Sequence, residues 1–100
     1  MQVYNISFQI APTLQLQWLE WMKSKFIPTI QATACFSDHQ FYEIDITEDQ
    51  APTYTLQLYT QNPETLIQYQ EQLSPSIMDD LHNTWGDQCF HFITTMRIVN

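Results

Sequence analysis

The feature that most constrains this chain is the way its hydrophobic period changes along the sequence. Apolar residues alternate with polar ones over residues 3–10, 35–46, 53–60 and 90–98, which is the period of a half-buried strand. In the two intervening segments at residues 14–30 and 63–85, apolar residues recur every three to four positions, as in a helix packed on one side. The predicted order is therefore β-α-β-β-α-β. This split-βαβ pattern predicts an α+β domain with two helices on one face of a four-stranded antiparallel sheet, in strand order 4-1-3-2.

Residue types at the predicted helix ends support these boundaries. Asn62 and Pro63 are typical of an N-cap followed by the first helical residue. Gly86 follows the last apolar position of the same helix and can adopt the left-handed backbone of a C-cap. Each helix also contains a proline, Pro28 or Pro75, which lacks a backbone N–H and biases the preceding residue away from helical geometry. We therefore expect each helix to kink, stop or restart near its proline.

The charge of the chain excludes several classes of partner. Its 11 acidic and 3 basic residues give a formal net charge of −8, whereas proteins that neutralise phosphates carry clustered Lys and Arg. We therefore expect no nucleic-acid partner and no binding to an anionic membrane. The single glycine, Gly86, also rules out a glycine-rich nucleotide-binding loop.

Length and composition favour one folded domain. The chain has 100 residues, of which 44% are hydrophobic, and a chain of this size buries one core. We predict a single domain over residues 1–100. No segment approaches the roughly 20 apolar residues that span a bilayer, and the N-terminus lacks the pattern of a signal peptide. Together with only two cysteines, Cys35 and Cys89, these features predict a cytoplasmic protein with free thiols.

One face of the predicted sheet is not covered by a helix. Its residues include many apolar and uncharged polar groups and few charges, whereas a water-exposed sheet face usually carries Lys and Glu. We predict that this face forms a homodimer interface, in which a two-fold axis places the same patch against itself. The predicted interface residues are Asn5, Ser7, His39, Phe41, Thr55, Gln57, His91, Ile93 and Thr95, with Tyr59 on the same face.

A group of aromatic residues could line a pocket between the helices and the sheet. A cavity with convergent polar groups there would favour an enzyme, and a filled space would favour a binding or scaffold module. Aromatic residues at helical and strand spacing more often form plain core. The residues of this candidate pocket are Tyr4, Trp18, Trp21, Tyr54 and Tyr69.

The sequence contains no recognisable catalytic or metal-binding motif. Its histidines, His39, His82 and His91, have no second ligand at metal spacing, so we expect no metal and no cofactor. His39 or His91 could serve as an acid or base, although a histidine hydrogen-bonded within an interface is the more frequent case. The adjacent Asp79 and Asp80 point about 100° apart on a helix and cannot share a substrate proton.

Several short motifs resemble those of an uncharacterised bacterial family. They are Tyr4-Asn5-Ile6, the segment WLEWMK at residues 18–23, Ile27-Pro28, Ala32-Thr33 and Trp85-Gly86-Asp87. The family is a domain-of-unknown-function family of the dimeric α/β-barrel superfamily, whose members have ferredoxin-like folds. The resemblance runs almost end to end and implies a homodimer whose two sheets face each other. It implies no reaction, and Phe26 stands where the family pattern often has His before Ile-Pro.

Two functional hypotheses follow. The first is a small homodimeric binding or scaffold module of unassigned function. The alternative is a cofactor-independent small-molecule enzyme of the monooxygenase or isomerase type, because oxygenases of the superfamily that the chain resembles hold aromatic substrates between sheet and helices. Recognition of RNA on the open sheet requires basic charge, and the charge here has the opposite sign.

Overall fold

The computed structural model describes residues 1–99 and contains the sheet that the sequence predicts. Its strands are β1 (Gln2–Ile10), β2 (Asp38–Ile44), β3 (Thr53–Thr60) and β4 (Cys89–Arg97). Neighbouring strands are antiparallel, and their order is β2-β3-β1-β4, which is the predicted 4-1-3-2 order. With two helices between the strands, this is a ferredoxin-like α+β fold.

Strand β2 is shorter than predicted. It begins at Asp38 rather than at Cys35, because the chain turns sharply after the first helix. Ala34 has a positive φ of 59°, and the backbone N–H of Cys35 donates to the hydroxyl of Thr33 at 3.3 Å. These residues belong to the turn and cannot pair in the sheet.

Each of the two helices is continuous and contains a short π-helical segment. The first consists of α1 (Gln15–Trp21), a π segment (Met22–Phe26) and α2 (Ile27–Ala32). The second consists of α3 (Pro63–Gln68), a π segment (Tyr69–Leu73) and α4 (Ser74–Trp85). Within residues 1–99, none of the helices has the length and hydropathy that crossing a bilayer requires.

The π segments explain why neither helix stops at its proline. The residue directly before each proline donates its N–H five residues back, from Ile27 to the carbonyl of Met22 and from Ser74 to that of Tyr69. A proline ring would clash with the carbonyl four residues earlier in a regular α-helix. We attribute the wider π turn to relief of this clash, so that the helix continues where the sequence predicted a kink, stop or restart.

The predicted N-cap of the second helix is confirmed. The side chain of Asn62 accepts a hydrogen bond from the backbone N–H of Glu64 at 2.9 Å. At the other end, Gly86 follows the helix with a positive φ of 58°, which favours glycine, but its ψ of −136° differs from that of the left-handed C-cap that the sequence predicted.

The core lies between the helices and one face of the sheet. The central strands β1 and β3 supply its floor, because every second residue of each strand points toward the helices. The fully buried side chains include Ile6, Phe8, Leu56 and Leu58 from the sheet, Trp18, Met22 and Ile30 from the first helix, and Tyr69 and Leu81 from the second.

Candidate functional site

The open face of the sheet carries four rows of side chains, each of which crosses all four strands. The rows follow directly from the register of the strand pairs. In order from β4 to β2, the first row contains Phe90, Gln9, Thr53 and Ile44, and the second contains Phe92, Ser7, Thr55 and Tyr42. The third row contains Thr94, Asn5, Gln57 and Gln40, and the fourth contains Met96, Val3, Tyr59 and Asp38.

The margins of this open face are apolar and exposed. On β4, Phe90 and Phe92 are 58% and 59% exposed, and their rings lie edge to face with centroids 5.1 Å apart. Met96 is exposed on the same strand, and Tyr42 and Ile44 are exposed on β2 at the opposite margin. Large apolar groups concentrated on one sheet face indicate a surface that another molecule covers.

The centre of the open face is polar but uncharged, and its groups bond to one another. The hydroxyl of Thr55 donates to Oδ1 of Asn5 at 2.6 Å, and Nδ2 of Asn5 donates to the hydroxyl of Ser7 at 3.4 Å. The Tyr59 hydroxyl donates to Oε1 of Gln57 at 2.7 Å. The pKa of the Tyr59 hydroxyl is raised, chiefly by burial and to a smaller extent by the nearby Tyr42 and Asp38. The hydroxyl therefore stays neutral.

The structure divides the predicted interface residues between the two faces of the sheet. Asn5, Ser7, Thr55 and Gln57 lie on the open face, as does Tyr59. The other residues lie on the helix side, so their placement on the open face was wrong. On that side His39 lies opposite Leu58, Phe41 opposite Leu56, His91 opposite Phe8, Ile93 opposite Ile6, and Thr95 opposite Tyr4.

The error has a physical cause in the two edge strands. Both β2 and β4 carry apolar residues in both alternating sets, so hydrophobicity alone does not identify the side that faces the core. Placing His91, Ile93 and Thr95 on the open face puts the alternate and more apolar set of β4, which contains Phe90 and Phe92, on the core side, whereas this set points to the open face. The sequence signal for these residues was therefore present but was attributed to the wrong side.

The aromatic residues of the candidate pocket fill the space between helices and sheet. Tyr4, Trp18, Tyr54 and Tyr69 are at most 3% exposed, and Trp21 is half-buried. The ring centroids of Trp18 and Tyr54 are 5.1 Å apart, and those of Tyr4 and Tyr69 are 5.5 Å apart. Spacings of this size are those of packed aromatic pairs.

Two buried tyrosine hydroxyls lie in this aromatic core. The Tyr4 hydroxyl is 3.4 Å from the hydroxyl of Ser74, and burial raises the pKa of Tyr4. The Tyr69 hydroxyl has no hydrogen-bond partner within residues 1–99. Burial, together with the nearby Tyr4 and Cys35, raises the pKa of Tyr69 strongly. Both groups remain neutral phenols near neutral pH, so neither supplies a base.

The cysteines are free thiols, as predicted, and Cys89 is not suited to nucleophilic chemistry. Cys89 is buried, and burial raises the pKa of its thiol to about 11. The nearby Trp18 indole lowers this pKa by a smaller amount than burial raises it. Its thiolate is therefore scarce near neutral pH. Cys35 is half-buried, and its Sγ donates to the carbonyl of Thr33 at 3.7 Å.

His82 and His91 lie near each other and line the same surface pocket, whereas His39 lies beside the first helix. Nδ1 of His39 is 3.3 Å from Nε2 of Gln31. Burial, with a smaller effect of His82, lowers the pKa of His91. Within residues 1–99, no three His, Cys, Asp or Glu side chains converge on a position that could hold a metal ion.

Comparison with known proteins identifies the family. Residues 1–99 match the family model described as "Domain of unknown function (DUF4286)". The chain belongs to this family. No curated protein matches the sequence. The family therefore assigns no reaction to the DUF4286 chain.

Solved structures with the same fold cover nearly the whole DUF4286 chain. An ethyl tert-butyl ether d (EthD) family protein from Bacillus halodurans has a TM-score of 0.71 and 15% identity, over 98% of this chain and 100% of that one. A dimeric ferredoxin-like protein from an uncultured marine organism has a TM-score of 0.73 and 3% identity, over 99% of this chain and 94% of that one. SnoaB, a cofactor-independent oxygenase from Streptomyces nogalater, has a TM-score of 0.58 and 10% identity, over 99% and 93%. At these identities the similarity shows the fold alone.

Proposed function

We propose that this protein is a small homodimeric binding or scaffold module that assembles through its open sheet face. The observation that carries the proposal is the orientation of β4. Its more apolar set of side chains points away from the core, which leaves Phe90 and Phe92 more than half exposed. Covering these rings would remove apolar surface from water at about 25 cal/mol per Å².

The charge of the open face favours a second copy of this chain as the occupant. Among the residues in the four rows, only Asp38 is charged, and it lies in the outermost row. The protein as a whole has a net charge of −8, so two copies repel each other at most other surfaces. A face without central charges lets identical patches meet without burying like charges.

The packed core supports a module in preference to an enzyme of the monooxygenase or isomerase type. The enzyme that the sequence suggested would require a cavity among the aromatic residues of the candidate pocket. Trp18 and Tyr69, which would line that cavity, are fully buried and packed against other rings. The ferredoxin-like protein from the uncultured marine organism, which shares the fold, is dimeric, and this agrees with the proposal.

We extend the proposal to partners and location. The acidic charge supports a protein that binds neither nucleic acid nor an anionic membrane. The free thiols Cys35 and Cys89 support a reducing, cytoplasmic location. The family match over residues 1–99 supports a single domain.

Sedimentation velocity at micromolar concentration tests the dimer. We expect a dimeric wild type and weaker association in Phe92→Glu and Thr55→Glu, because a two-fold axis buries each new charge twice. Leu16→Glu is the matched control, because Leu16 is 82% exposed on the first helix, away from the open face. A monomeric wild type would refute the proposal. A dimer that is weakened only by Leu16→Glu would move the interface to the helices.

A further inference from the structure

A surface cleft of about 320 Å³ lies on the helix side of the sheet, where the turn after α2 leads into β2. Its size is at the lower end of the roughly 300–1,000 Å³ range of small-molecule sites. His39 and Leu58, which help to line it, are paired on the side of the sheet that faces the helices. The cleft is therefore separate from the open face, and a ligand can occupy it whether or not the protein dimerises.

The floor of the cleft is apolar, and its aromatic wall is held in place by the core. Ile30 and Leu58 form part of the floor and are at most 1% exposed. Phe36 forms the wall, and its ring packs edge to face against Tyr69 with centroids 4.8 Å apart. The same ring lies 6.3 Å from that of Tyr4. These contacts preform a surface on which the ring of a ligand can pack.

The cleft offers no carboxylate, ammonium or guanidinium group to a ligand. Asp38 borders the cleft, but the strand register pairs it with Tyr59 and so places its side chain on the open face. The contribution of Asp38 to the raised pKa of Tyr59 agrees with this position. None of the residues that line the cleft is Lys, Arg or Glu. A charged ligand would lose water here without meeting an opposite charge, so the cleft favours a neutral ligand.

The polar rim of the cleft presents hydrogen-bond donors and acceptors together. Nε2 of Gln31 lies 3.3 Å from Nδ1 of His39 and donates to it, since an amide nitrogen can only donate. The proton of the neutral His39 ring is therefore on Nε2, where it is a free donor. The bond also orients the Gln31 amide, whose second N–H and Oε1 have no side-chain partner within residues 1–99. The Ser37 hydroxyl donates to the carbonyl of Tyr59 at 3.3 Å, which leaves its oxygen as an acceptor.

We propose that this cleft binds a small neutral aromatic carboxamide. The ring of the ligand packs against Phe36 and the apolar floor. Its carboxamide lies at the rim, where its N–H donates to Oε1 of Gln31 and its carbonyl oxygen accepts from a free N–H of Gln31 or His39. A carboxylate of the same shape has no N–H for Oε1 of Gln31, and an amidinium has no acceptor for the free N–H groups. Each of these ligands leaves polar groups of the rim unpaired, which weakens its binding.

A titration with three ligands of equal shape tests the proposal. Benzamide, benzoate and benzamidinium are each added to the ¹⁵N-labelled protein, and backbone amide shifts are followed by NMR. We expect saturable shifts at Gln31, His39 and Leu58 with benzamide, with a Kd of about 1–10 mM. Benzoate and benzamidinium should each bind at least about fivefold more weakly, as expected for the loss of a hydrogen bond. The proposal is wrong if benzamide gives no saturable shift up to about 20 mM, or if either charged ligand binds as tightly.

Two variants test the role of the Gln31 amide. Gln31→Met keeps the length of the side chain but removes its donor and its acceptor, and it should raise the Kd for benzamide about fivefold or more. Gln68→Met makes the same change at an exposed position on α3 and should leave the Kd unchanged. Equal effects of the two variants would contradict the proposal.

The ligand site and the dimer can be tested independently, because the cleft lies away from the open face. Phe92→Glu should weaken self-association in sedimentation velocity and leave the Kd for benzamide unchanged. A change of this Kd in Phe92→Glu would contradict a site that is separate from the open face.

Discussion

Trp18 is fully buried, and its ring packs against aromatic rings of both central strands, β1 and β3. The ring centroid lies 5.3 Å from that of Phe8 and 5.1 Å from that of Tyr54. Its indole N–H has no hydrogen-bond partner of good geometry within residues 1–99. Trp18 therefore contributes chiefly through the apolar area and ring contacts that it buries.

Replacing Trp18 should cost a large share of the stability of this domain. We expect Trp18→Ala to lower the free energy of unfolding by about 3–5 kcal/mol, since it removes a large buried ring and leaves a cavity. A domain of this size has about 5–15 kcal/mol in total. Gln17→Ala, at the neighbouring exposed position, should have little effect. Urea denaturation measures both values, and the opposite ranking would show that the helix register is wrong.

His91 makes stability depend on pH in a defined direction. Its pKa is lowered in the folded protein by burial and then by His82, so the unfolded chain, near pKa 6.5, takes up the proton first. Stability should therefore be fully present above the unfolded pKa and decline as the pH falls toward the folded pKa.

Substitution of His91 should remove part of this dependence. We expect His91→Gln to lose less stability than the wild type between about pH 7 and pH 5. His82→Gln should give a smaller change in the same direction, because His82 is the lesser cause of the shift. Denaturation curves recorded across this range measure the effect. If the free energy of unfolding of wild type and His91→Gln fell in parallel with decreasing pH, His91 would not contribute to the pH dependence of stability.

At the scale of elements, the boundaries that the sequence predicted best are those set by local backbone chemistry. Strand β3 occupies the predicted residues 53–60, and Asn62 caps the second helix as its side chain suggests. The response of the helices to Pro28 and Pro75 was predicted less well. A proline shows where a regular α-helix is disturbed, but not that a wider turn will absorb the disturbance.

The cap at Asn62 gives a direct test of local chemistry. Asn62→Ala removes the acceptor for the N–H of Glu64 and should destabilise the protein by about 1 kcal/mol. Asn83→Ala, at an exposed position within α4, is the matched control, and it should be neutral or slightly stabilising because alanine favours helix. Thermal or urea unfolding compares the two. Equal effects would mean that the cap contributes nothing specific.

The candidate site was predictable only in part, because the two kinds of strand carry different information. For the central strands, burial fixes one side, and Asn5, Ser7, Thr55 and Gln57 were placed correctly on the open face. The edge strands carry apolar residues on both sides, and in β4 every residue after Cys89 is exposed, so burial does not identify the side that faces the helices. The orientation of Phe92 therefore required the strand register, which a single sequence does not contain.

At the scale of the whole molecule, net charge determines how two copies approach each other. Each protomer carries −8, so a dimer carries 2 × −8 = −16 with neutral histidines. The open face contributes little to this charge, because Asp38 is the only charged residue in its rows. Repulsion between protomers is therefore long-range and comes from surfaces outside the interface.

Added salt should strengthen the dimer. Screening shortens the range of the repulsion, since the Debye length falls from about 30 Å at 0.01 M to about 8 Å at 0.15 M salt. The Kd of self-association should therefore decrease over this range. For an interface held by ion pairs, the Kd would instead increase with salt. Sedimentation equilibrium at several salt concentrations measures it. A Kd that rises with salt would indicate attractive charge contacts across the interface.

The adjacency of β1 and β4 in the sheet affects how the fold can be completed during synthesis. Strand β1 is made first, yet one of its two neighbours is the last strand of the sheet. The ribosome must therefore reach β4, which begins at Cys89, before the hydrogen bonds on that side of β1 can form. Pairing over such a sequence separation is slow, since the loop must close before the contacts stabilise it. A chain interrupted before β4 exposes the main-chain edge of its own central strand, which is a template for aggregation.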